Sequence, residues 1–303
     1  MTSCCFICKG SAWRTKYRFA AETTTIRQCA GCGLMSLDPL PSLDDLKSVY
    51  TDTYFSNSEL VTSEVSNIYG YVDYISERIN KQKGYARICK KLKGLLSSDV
   101  NHPKLLDFGC GLGFFLDTAF DFDFAIKGVE FNRFAIDYIR RRYAHEVISY
   151  EEFTSECDRY DVLTLFDVIE HLLDPFDFIA QMRDRLTDNG LLILTTMDSL
   201  SLVSRLMGAR LEDFRRIREH VYFFSRSNMT QLLEQNGFDI VEIASHGHSF
   251  ELRHLADRAS VALPSLRVPL KVLLRSLPVT GDSSVYVDPR TKFILYARKR
   301  HTA

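Results

Sequence analysis

The chain has 303 residues, 46% of them hydrophobic, and its 38 basic and 39 acidic side chains leave a formal net charge of -1. This balance disfavours nucleic acid as a partner, because a sequence-independent grip on phosphates requires an excess of lysine and arginine. No apolar run approaches the ~20 residues of a membrane-spanning helix, and the opening MTSCCFICKG lacks the apolar segment of a secretory signal. We therefore expect a cytoplasmic protein with one large core and a small additional module.

Cysteines dominate the start of the chain, where five of the eight fall within the first 32 residues. Two Cys-x2-Cys pairs lie there, and each can form a tight knuckle that presents two thiolates. In a reducing compartment such clustering favours metal over disulfides. The pattern predicts a zinc ribbon over residues 1–50 with a closed, structural Cys4 zinc site, for which Cys4 is an alternative partner of Cys8. The predicted ligands are Cys5, Cys8, Cys29 and Cys32.

After the ribbon, the stretch SLDDLKSVY predicts a short helix, because a serine N-cap and early acidic residues favour a helix start. Apolar residues at helical spacing then predict one or two further helices. We interpret residues 51–100 as a helical connector or lid and residues 101–303 as the main domain.

The stretch KLLDFGCGLGFF predicts a short buried strand, 104–109, then a glycine-rich turn and a helix that begins near Phe114. Gly109, Gly111 and Gly113 would let a ligand approach the backbone amides. They alternate, unlike the Gly-x-Gly-x-x-Gly pattern of dinucleotide sites. Asp107 at the strand end would repel a pyrophosphate and suits a ligand that carries a positive amino group.

A second strand, 125–131, contains Glu130 near its end, and an acid at this place can accept hydrogen bonds from both hydroxyls of a ribose. Together with Asp107, it indicates a nucleoside ligand that has an amine and no phosphates. S-adenosylmethionine fits this description.

The remaining strands are predicted at 145–150, 161–167, 191–197, 238–245 and 291–300, with helices between them, one of which is predicted to stop at Gly190. Alternating strands and helices indicate a doubly wound α/β sheet that binds its ligand at the carboxyl ends of the strands.

Several stretches, in matching order over roughly residues 100–245, resemble the class I S-adenosylmethionine-dependent methyltransferases: DFGCGLG, VEFN, YDVLTLFDVIEHLLDP, DNGLLILTTMD and REHVYFFSRSNMTQLLEQNGFDIV. The resemblance implies a seven-stranded Rossmann-like sheet whose last strand runs antiparallel. The zinc-ribbon leader resembles that of a subset often associated with glycan or secondary-metabolite pathways.

The resemblance implies methyl transfer from S-adenosylmethionine to a small-molecule or glycan-type acceptor, and we expect oxygen to be the methylated atom. The alternatives are a sugar C-methyltransferase and an RNA 2′-O-methyltransferase. An alternative of another class is a non-catalytic zinc-ribbon scaffold that binds S-adenosylmethionine.

The cofactor residues are carried over by position. Asp107 and the three glycines of the turn would line the methionine end, Glu130 would take the ribose hydroxyls, and Phe131 would flank the adenine. Family members often place an acid near the adenine amine after the third strand, where this chain offers Glu151 or Glu152.

The fourth strand ends beside the sulfonium in this fold, so Asp167, Glu170 and His171 are predicted to lie where the methyl group leaves, with Asp167 also a neighbour of the cofactor. We favour His171 as the base or positioning group that acts on the acceptor, because a histidine of near-neutral pKa can take its proton. A second interpretation is that Glu170 and His171 only cap the helix that starts at Asp174 and Pro175.

A third interpretation is a metal site. Asp167-x2-Glu170-His171 resembles the Glu-x2-Glu-His metal segment of ubiquinone-biosynthesis O-methyltransferases and of small-RNA 2′-O-methyltransferases, with Asp in place of the first Glu. His220 stands where those families have their completing histidine. A divalent ion such as Mg²⁺ would then lower the pKa of the acceptor hydroxyl.

Two further basic segments have competing interpretations. Arg215, Arg216 and Arg218 form either a solvated face or a contact to an anionic acceptor. The long insert at about 247–288 contains a basic amphipathic segment, 262–278. It is either a lid or packing helix, or an interfacial anchor that would place the enzyme peripherally at a membrane near a lipid-linked acceptor.

Overall fold

The computed structural model of the protein describes residues 4–19, 23–50, 78–251 and 284–301. The strands are β1 (Trp13–Arg18), β2 (Thr25–Cys29), β3 (Met35–Asp38), β4 (Lys104–Phe108), β5 (Ala125–Glu130), β6 (Val147–Ser149), β7 (Tyr160–Phe166), β8 (Leu186–Met197), β9 (Tyr222–Phe223), β10 (Phe238–Ser245), β11 (His248–Glu251), β12 (Ser284–Val287) and β13 (Lys292–Lys299). The α-helices are α1 (Leu43–Val49), α2 (Arg78–Leu95), α3 (Phe114–Asp121), α4 (Arg133–Tyr143), α5 (Tyr150–Ser155), α6 (Pro175–Asp184), α7 (Leu202–Met207), α8 (Glu212–Arg215) and α9 (Arg226–Gln235).

Seven strands form the central sheet, in the order β10-β13-β8-β7-β4-β5-β6. Strands β4 to β8 run parallel, whereas β13 is antiparallel to both of its neighbours. Parallel strands need crossover connections, and the helices between them supply these and cover the sheet. The predicted fold class, a seven-stranded Rossmann-like methyltransferase sheet, is confirmed.

Both faces of the sheet are buried in apolar side chains. Leu106 and Phe108 of β4 belong to one core cluster and Leu105 to the other. Because successive side chains of a strand point to opposite faces, the two clusters lie on opposite sides of the sheet. This two-sided burial explains why the strands are so uniformly apolar in sequence.

The helix stop predicted at Gly190 is wrong. Helix α6 ends at Asp184, and β8 begins at Leu186, which is fully buried. Tyr160 pairs with Leu186 and Val162 with Leu191, so the residues between form a bulge in β8. Asn189 takes a φ of 63° within it. The Asp-Asn-Gly stretch therefore serves a strand bulge instead of a helix end.

The N-terminal module contributes β1, β2 and β3 to an antiparallel sheet of four strands, whose fourth strand is β9 from the main domain. The predicted helix over SLDDLKSVY is present as α1, with Ser42 and Asp45 forming a capping box. Among the described residues, no helix is both long and apolar enough to cross a bilayer.

Two expectations fall partly beyond the described residues. Of the predicted connector, α2 is described, whereas residues 51–77 lie outside. Of the long insert, the ends pair as β11 and β12. The basic segment 262–278, interpreted as either a packing helix or a membrane-interface anchor, lies outside the described residues.

Candidate active site

The glycine-rich turn after β4 has room for no side chain at two of its positions. Gly109 and Gly113 both have a φ of 76°, in the left-handed region that L side chains rarely adopt. A Cβ on Gly109 would lie 2.6 Å from Cγ2 of Val168, and one on Gly113 would lie 2.9 Å from Cγ1 of Ile139. The contact with Val168 shows that the turn lies directly against the residues that follow β7.

Glu130, the last residue of β5, connects this strand to the glycine-rich turn. Its Oε2 accepts a hydrogen bond from the Gly111 N–H at 2.7 Å, and its Oε1 accepts from the N–H groups of Phe131 and Asn132 at 2.7 and 2.9 Å. Burial raises the pKa of Glu130, and these donors oppose that effect. A carboxylate has about four lone-pair sites, so with three of them occupied the group retains capacity for about one hydroxyl donor.

Asp107 is buried at the end of β4. The Thr164 hydroxyl donates to its Oδ1 at 2.6 Å. Burial raises the pKa of Asp107 to about 7, and the nearby Glu130 carboxylate adds to the shift. Burial raises the pKa of both Asp107 and Glu130, so the pair favours a ligand that brings positive charge.

Phe131, which was predicted to flank the adenine, makes an aromatic contact at the surface of the protein. Phe131, 52% exposed, stacks on Tyr150 with ring centroids 5.1 Å apart. Of the two acids offered for the adenine amine, Glu152 already accepts the Ser149 N–H at 2.7 Å in the capping box of α5. Glu151 is exposed in the first turn of the same helix, so it is the better candidate of the two for the adenine amine.

Glu170, His171 and His220 form a cluster at the carboxyl end of β7, in which one ligand atom from each lies within 4.8 Å of the other two. A tight 3₁₀ turn over Ile169–His171 places the first two directly after the strand. The Val221 N–H donates to the Glu170 carbonyl at 2.8 Å, which brings the neighbouring His220 alongside. The three residues are hereafter called the Glu-His-His cluster.

Hydrogen bonds fix the tautomer of both histidines. Nδ1 of His171 lies 2.9 Å from the Glu219 carbonyl oxygen, and Nδ1 of His220 lies 3.2 Å from the Asp213 carbonyl oxygen. A carbonyl oxygen can only accept, so in each ring the proton resides on Nδ1. The lone pair of each neutral imidazole is therefore on Nε2, where it can bind a cation or take a proton.

Burial sets the charge of the cluster. It raises the pKa of Glu170 to about 8, to which the Asp167 carboxylate contributes and which Lys292 opposes. It lowers the pKa of His171 and, with the charges of His171 and Arg216 adding to the effect, lowers that of His220 well below its ordinary value. Near neutral pH both imidazoles are thus uncharged.

Asp167 does not join the cluster. Its Oδ2 accepts from Lys292 Nζ at 2.7 Å and its Oδ1 from the Thr195 hydroxyl at 3.1 Å, while its backbone has a φ of 54°. The cap of α6 is also separate from the cluster, because the Asp174 side chain accepts from the Asp177 N–H. Glu170 and His171 therefore do not serve as the N-cap of that helix.

The solvated face expected of the arginines near the cluster is wrong for Arg216. This residue is buried, and its Nε lies 3.6 Å from Oε1 of Glu219, itself fully buried. Arg215 and Arg218 are exposed to solvent. Arg216 thus belongs to the wall of the site.

The four predicted zinc ligands also gather. The Sγ atoms of Cys5, Cys8, Cys29 and Cys32 all lie within 4.8 Å of one another. Cys4 is exposed and outside this group. The Cys4-x3-Cys8 alternative therefore finds no support in the geometry.

A family model described as a methyltransferase domain matches residues 79–243, more than half of the chain. The chain belongs to this family. Its match contains the glycine turn, Glu130 and the whole Glu-His-His cluster. The methyltransferase family predicted from the sequence is thereby confirmed.

Relatives of the methyltransferase are distant. A protein of Mycolicibacterium smegmatis named as a probable S-adenosylmethionine-dependent methyltransferase is 26% identical over 157 residues, 51% of this chain and 59% of that protein. The ubiquinone biosynthesis O-methyltransferase of Histophilus somni is 26% identical over 115 residues, 34% of this chain and 48% of that one. The chain thus spans about half to three fifths of the length of these relatives.

The fold has a counterpart among crystal structures. Magnesium protoporphyrin IX methyltransferase from Synechocystis PCC 6803, solved with bound SAH, is similar with a TM-score of 0.50 at 14% identity. The similarity covers 84% of this chain and 99% of that one. At this identity the likeness shows a shared fold.

Three residues of the candidate site were missed in the sequence. Tyr150 stacks on Phe131, Lys292 pairs with Asp167, and the Tyr50 hydroxyl lies 2.9 Å from Nδ1 of His171. Tyr150 follows directly on the third strand, which is a usable signal. The other two contacts join residues more than 100 positions apart, and no spacing rule predicts them.

Proposed function

We propose that the protein transfers a methyl group from S-adenosylmethionine to a hydroxyl oxygen of a small-molecule acceptor held at the Glu-His-His cluster. The observation that carries the proposal is the convergence of these three side chains after β7, where Val168, two residues beyond the end of the strand, lies against the glycine turn. A cofactor in the turn and an acceptor at the cluster would therefore be neighbours.

On the cofactor side, Glu130 would accept the ribose hydroxyls and Phe131 would flank the adenine, with Glu151 near its amine. Gly109, Gly111 and Gly113 would let the methionine end approach the backbone, with Asp107 and Asp167 as the nearby negative charges. The chemistry of this donor set fits a cationic nucleoside, because burial raises the pKa of both Asp107 and Glu130 and a positive ligand would relieve that cost.

On the acceptor side, the cluster fits a divalent cation such as Mg²⁺ or Mn²⁺. Glu170 Oε2 is buried and accepts no hydrogen bond from the described residues, and two neutral imidazoles add nitrogen donors. A bound cation would lower the pKa of the acceptor hydroxyl. Glu170 and the two Nε2 atoms would hold it, while the Glu219 and Asp213 carbonyls keep both rings oriented. The gathering of three ligands moves our preference from the metal-free base to this arrangement.

The second candidate keeps His171 as the base without a cation. It is favoured by the Nδ1–H tautomer of that ring, which leaves Nε2 able to take the acceptor proton. His220, with its pKa even lower, would then only pack beside it.

A screen with radiolabelled S-adenosylmethionine tests the function. The acceptor panel should contain polyphenols, free sugars, nucleotide-linked sugars and short RNA, each with Mg²⁺ and with a chelator. We expect a labelled methyl ether on a hydroxylated small molecule, lost with the chelator and restored by Mg²⁺. Chelator-resistant transfer would select the base instead, and a C-methylated sugar or methylated RNA would select one of the other acceptors. Calorimetry that finds no S-adenosylmethionine binding would refute the enzyme on both readings.

We also propose that the four clustered cysteines hold one structural zinc ion. Their thiolates form a closed donor set, and a module of about fifty residues has little core of its own. Freshly reduced protein should contain one zinc per chain, and Cys29→Ser should lose it together with the fold of the N-terminus. Metal analysis without zinc would refute the assignment. The surface cysteine change Cys157→Ser is the matched control, since Cys157 is exposed and far along the chain.

A further inference from the structure

Tyr50 is the residue through which the N-terminal module reaches the Glu-His-His cluster. It closes helix α1 as its C-cap, and its hydroxyl oxygen lies 2.9 Å from Nδ1 of His171. The two rings meet edge to face with centroids 6.0 Å apart. The contact joins positions 121 residues apart in the chain.

The module is built into the wall of the site by backbone pairing. Strand β3 pairs with β9, with Met35 opposite Phe223 and Ser36 opposite Tyr222. The Leu37 N–H also donates to the Val221 carbonyl at 2.9 Å. The strand that follows His220 is therefore part of the module's own sheet.

Side chains of α9 bind both knuckles of the cysteine cluster. Asn228 Nδ2 donates to the Cys32 carbonyl at 3.0 Å, and Gln235 Nε2 donates to the Ile7 carbonyl at 3.0 Å. Asn228 is fully buried. These bonds fix the metal-binding end of the module against the main domain.

A shared apolar cluster completes the junction. Ile26, Met35 and Leu37 of the module pack with side chains from the segment between β8 and β9. The partners from that segment and its flanking strands are Met197, Leu211, Phe214 and Phe223. Since Leu211 and Phe214 precede His220 by a few residues, the module supports the segment that carries this histidine.

At the cluster, Tyr50 acts on the orientation of a ring. The His171 Nδ1–H is shared between the Glu219 carbonyl and the Tyr50 oxygen, each at 2.9 Å. The Glu219 carbonyl sets the tautomer, and the second partner, Tyr50, restricts the plane of the imidazole and so the direction of its Nε2 lone pair.

We propose that Tyr50 is a positioning residue for His171 and that the Cys4 module, by supplying it, is a working part of the acceptor site. The inference rests on the proposed function in taking the Glu-His-His cluster as the acceptor side. It concerns the geometry of the cluster and does not depend on which acceptor is methylated.

Mn²⁺ is the first probe, because it prefers oxygen and nitrogen donors and leaves the cysteine site to zinc. Its binding to zinc-loaded wild type, Tyr50→Phe and Tyr17→Phe is measured by electron paramagnetic resonance. Loss of an outer-shell partner typically weakens metal binding about 10–100-fold, and we expect that loss for Tyr50→Phe only. Tyr17 is the matched control, since it lies in the same module and contacts Phe214 instead of His171. Equal affinity of wild type and Tyr50→Phe, or an equal loss in Tyr17→Phe, would overturn the proposal.

Nitrogen-15 NMR of the histidine rings is the second probe, assigned with His171→Gln and run in zinc-loaded protein without added Mn²⁺. Because the Glu219 carbonyl remains, both proteins should show His171 as the Nδ1–H tautomer, but the ring signals of Tyr50→Phe should broaden, because the imidazole has lost the second partner that restricts its plane. If wild type binds no Mn²⁺, the cation drops out of the proposed function and this signal alone decides: broader ring signals in Tyr50→Phe support the positioning role, and unchanged line widths refute it. Calorimetry with S-adenosylmethionine, expected to be the same in all variants, shows separately whether the cofactor site and the proposed enzyme stand.

Discussion

Two buried glutamates, Glu130 and Glu170, lie on the two sides of the glycine turn and differ in what satisfies them. Both carboxyls have a raised pKa because of burial. Glu130 accepts three backbone N–H groups, whereas Oε2 of Glu170 accepts none from the described residues. Glu130 is therefore largely satisfied before a ligand binds, whereas we expect Oε2 of Glu170 to be satisfied by what binds at the cluster.

The difference has a stability consequence for Glu170. Its folded pKa of about 8 lies above the ordinary value of about 4.3. The neutral acid is thus favoured below that value, and the folded state loses stability as the pH rises from the ordinary range toward about 8. A cation that takes the place of the proton would remove this cost. Glu130 is held by donors that favour its ionised form and is less dependent on a ligand.

The largest expected effect comes from a substitution that disrupts the acceptor side and leaves the cofactor side intact. His171→Ala should lower turnover on the acceptor found in the screen by about 10²–10⁴-fold and leave the affinity for S-adenosylmethionine unchanged. The exposed histidine change His102→Ala is the control. Initial rates and calorimetry on the same preparations make the measurement. A parallel loss of cofactor affinity would mean that the two sides are one site.

The next largest effect is expected from a substitution that disrupts the cofactor side and leaves the acceptor side intact. Glu130→Ala should weaken S-adenosylmethionine binding by about 1.5–3 kcal/mol, the scale of hydrogen bonds to a charged group. Mn²⁺ binding at the Glu-His-His cluster should not change. Because Glu130 also holds the Gly111 N–H, Glu130→Gln is the companion variant: it retains one acceptor for that amide and should lose less. Unchanged cofactor affinity in both variants would place the ribose elsewhere.

A smaller effect concerns pH. The folded pKa of Asp107 is about 7, above its ordinary value, so in the free protein the carboxyl is protonated below about 7. A cationic ligand requires the carboxylate, and the affinity for S-adenosylmethionine should fall by up to about tenfold per pH unit below that value and level off above it. Asp107→Asn should abolish this dependence of the affinity on pH. The control Asp121→Asn, which changes the last residue of α3, should keep it. A slope that survives in Asp107→Asn belongs to another group.

The cofactor side could be predicted from the sequence because its parts are local. The glycine turn, Asp107 and Glu130 lie within 24 residues, and their order after two short apolar strands leaves few arrangements. The sheet itself follows from the same alternation of strands and helices. Within the sheet, the helix stop predicted at Gly190 was wrong, because an Asp-Asn-Gly stretch fits a helix end and a strand bulge equally.

The acceptor side could be predicted only as a list of candidates. Glu170 and His171 are adjacent to a strand end and His220 was placed by resemblance, but their convergence depends on one backbone bond from Val221 to Glu170. That Asp167 pairs with Lys292 while Tyr50 meets His171 depends on how distant strands and modules pack. Local patterns carry no information on such contacts.

The smallest effect separates two adjacent acids that the sequence could not tell apart. In α5, Glu152 completes an S-x-x-E capping box, a signal present in SYEE, whereas Glu151 lies exposed in the first turn of the helix. The hydrogen bond from the Ser149 N–H lowers the pKa of the Glu152 carboxyl. The contribution of this bond to stability is therefore present above the ordinary pKa and is lost as the pH falls. Glu152→Ala should therefore lower the melting temperature slightly at neutral pH, lose that difference in acid, and leave cofactor affinity unchanged. Glu151→Ala should do the reverse, weakening S-adenosylmethionine binding at an unchanged melting temperature. If the cofactor affinity responds to Glu152 and not to Glu151, the capping role cannot be the whole role of Glu152, and the adenine amine is recognised one residue further along the helix.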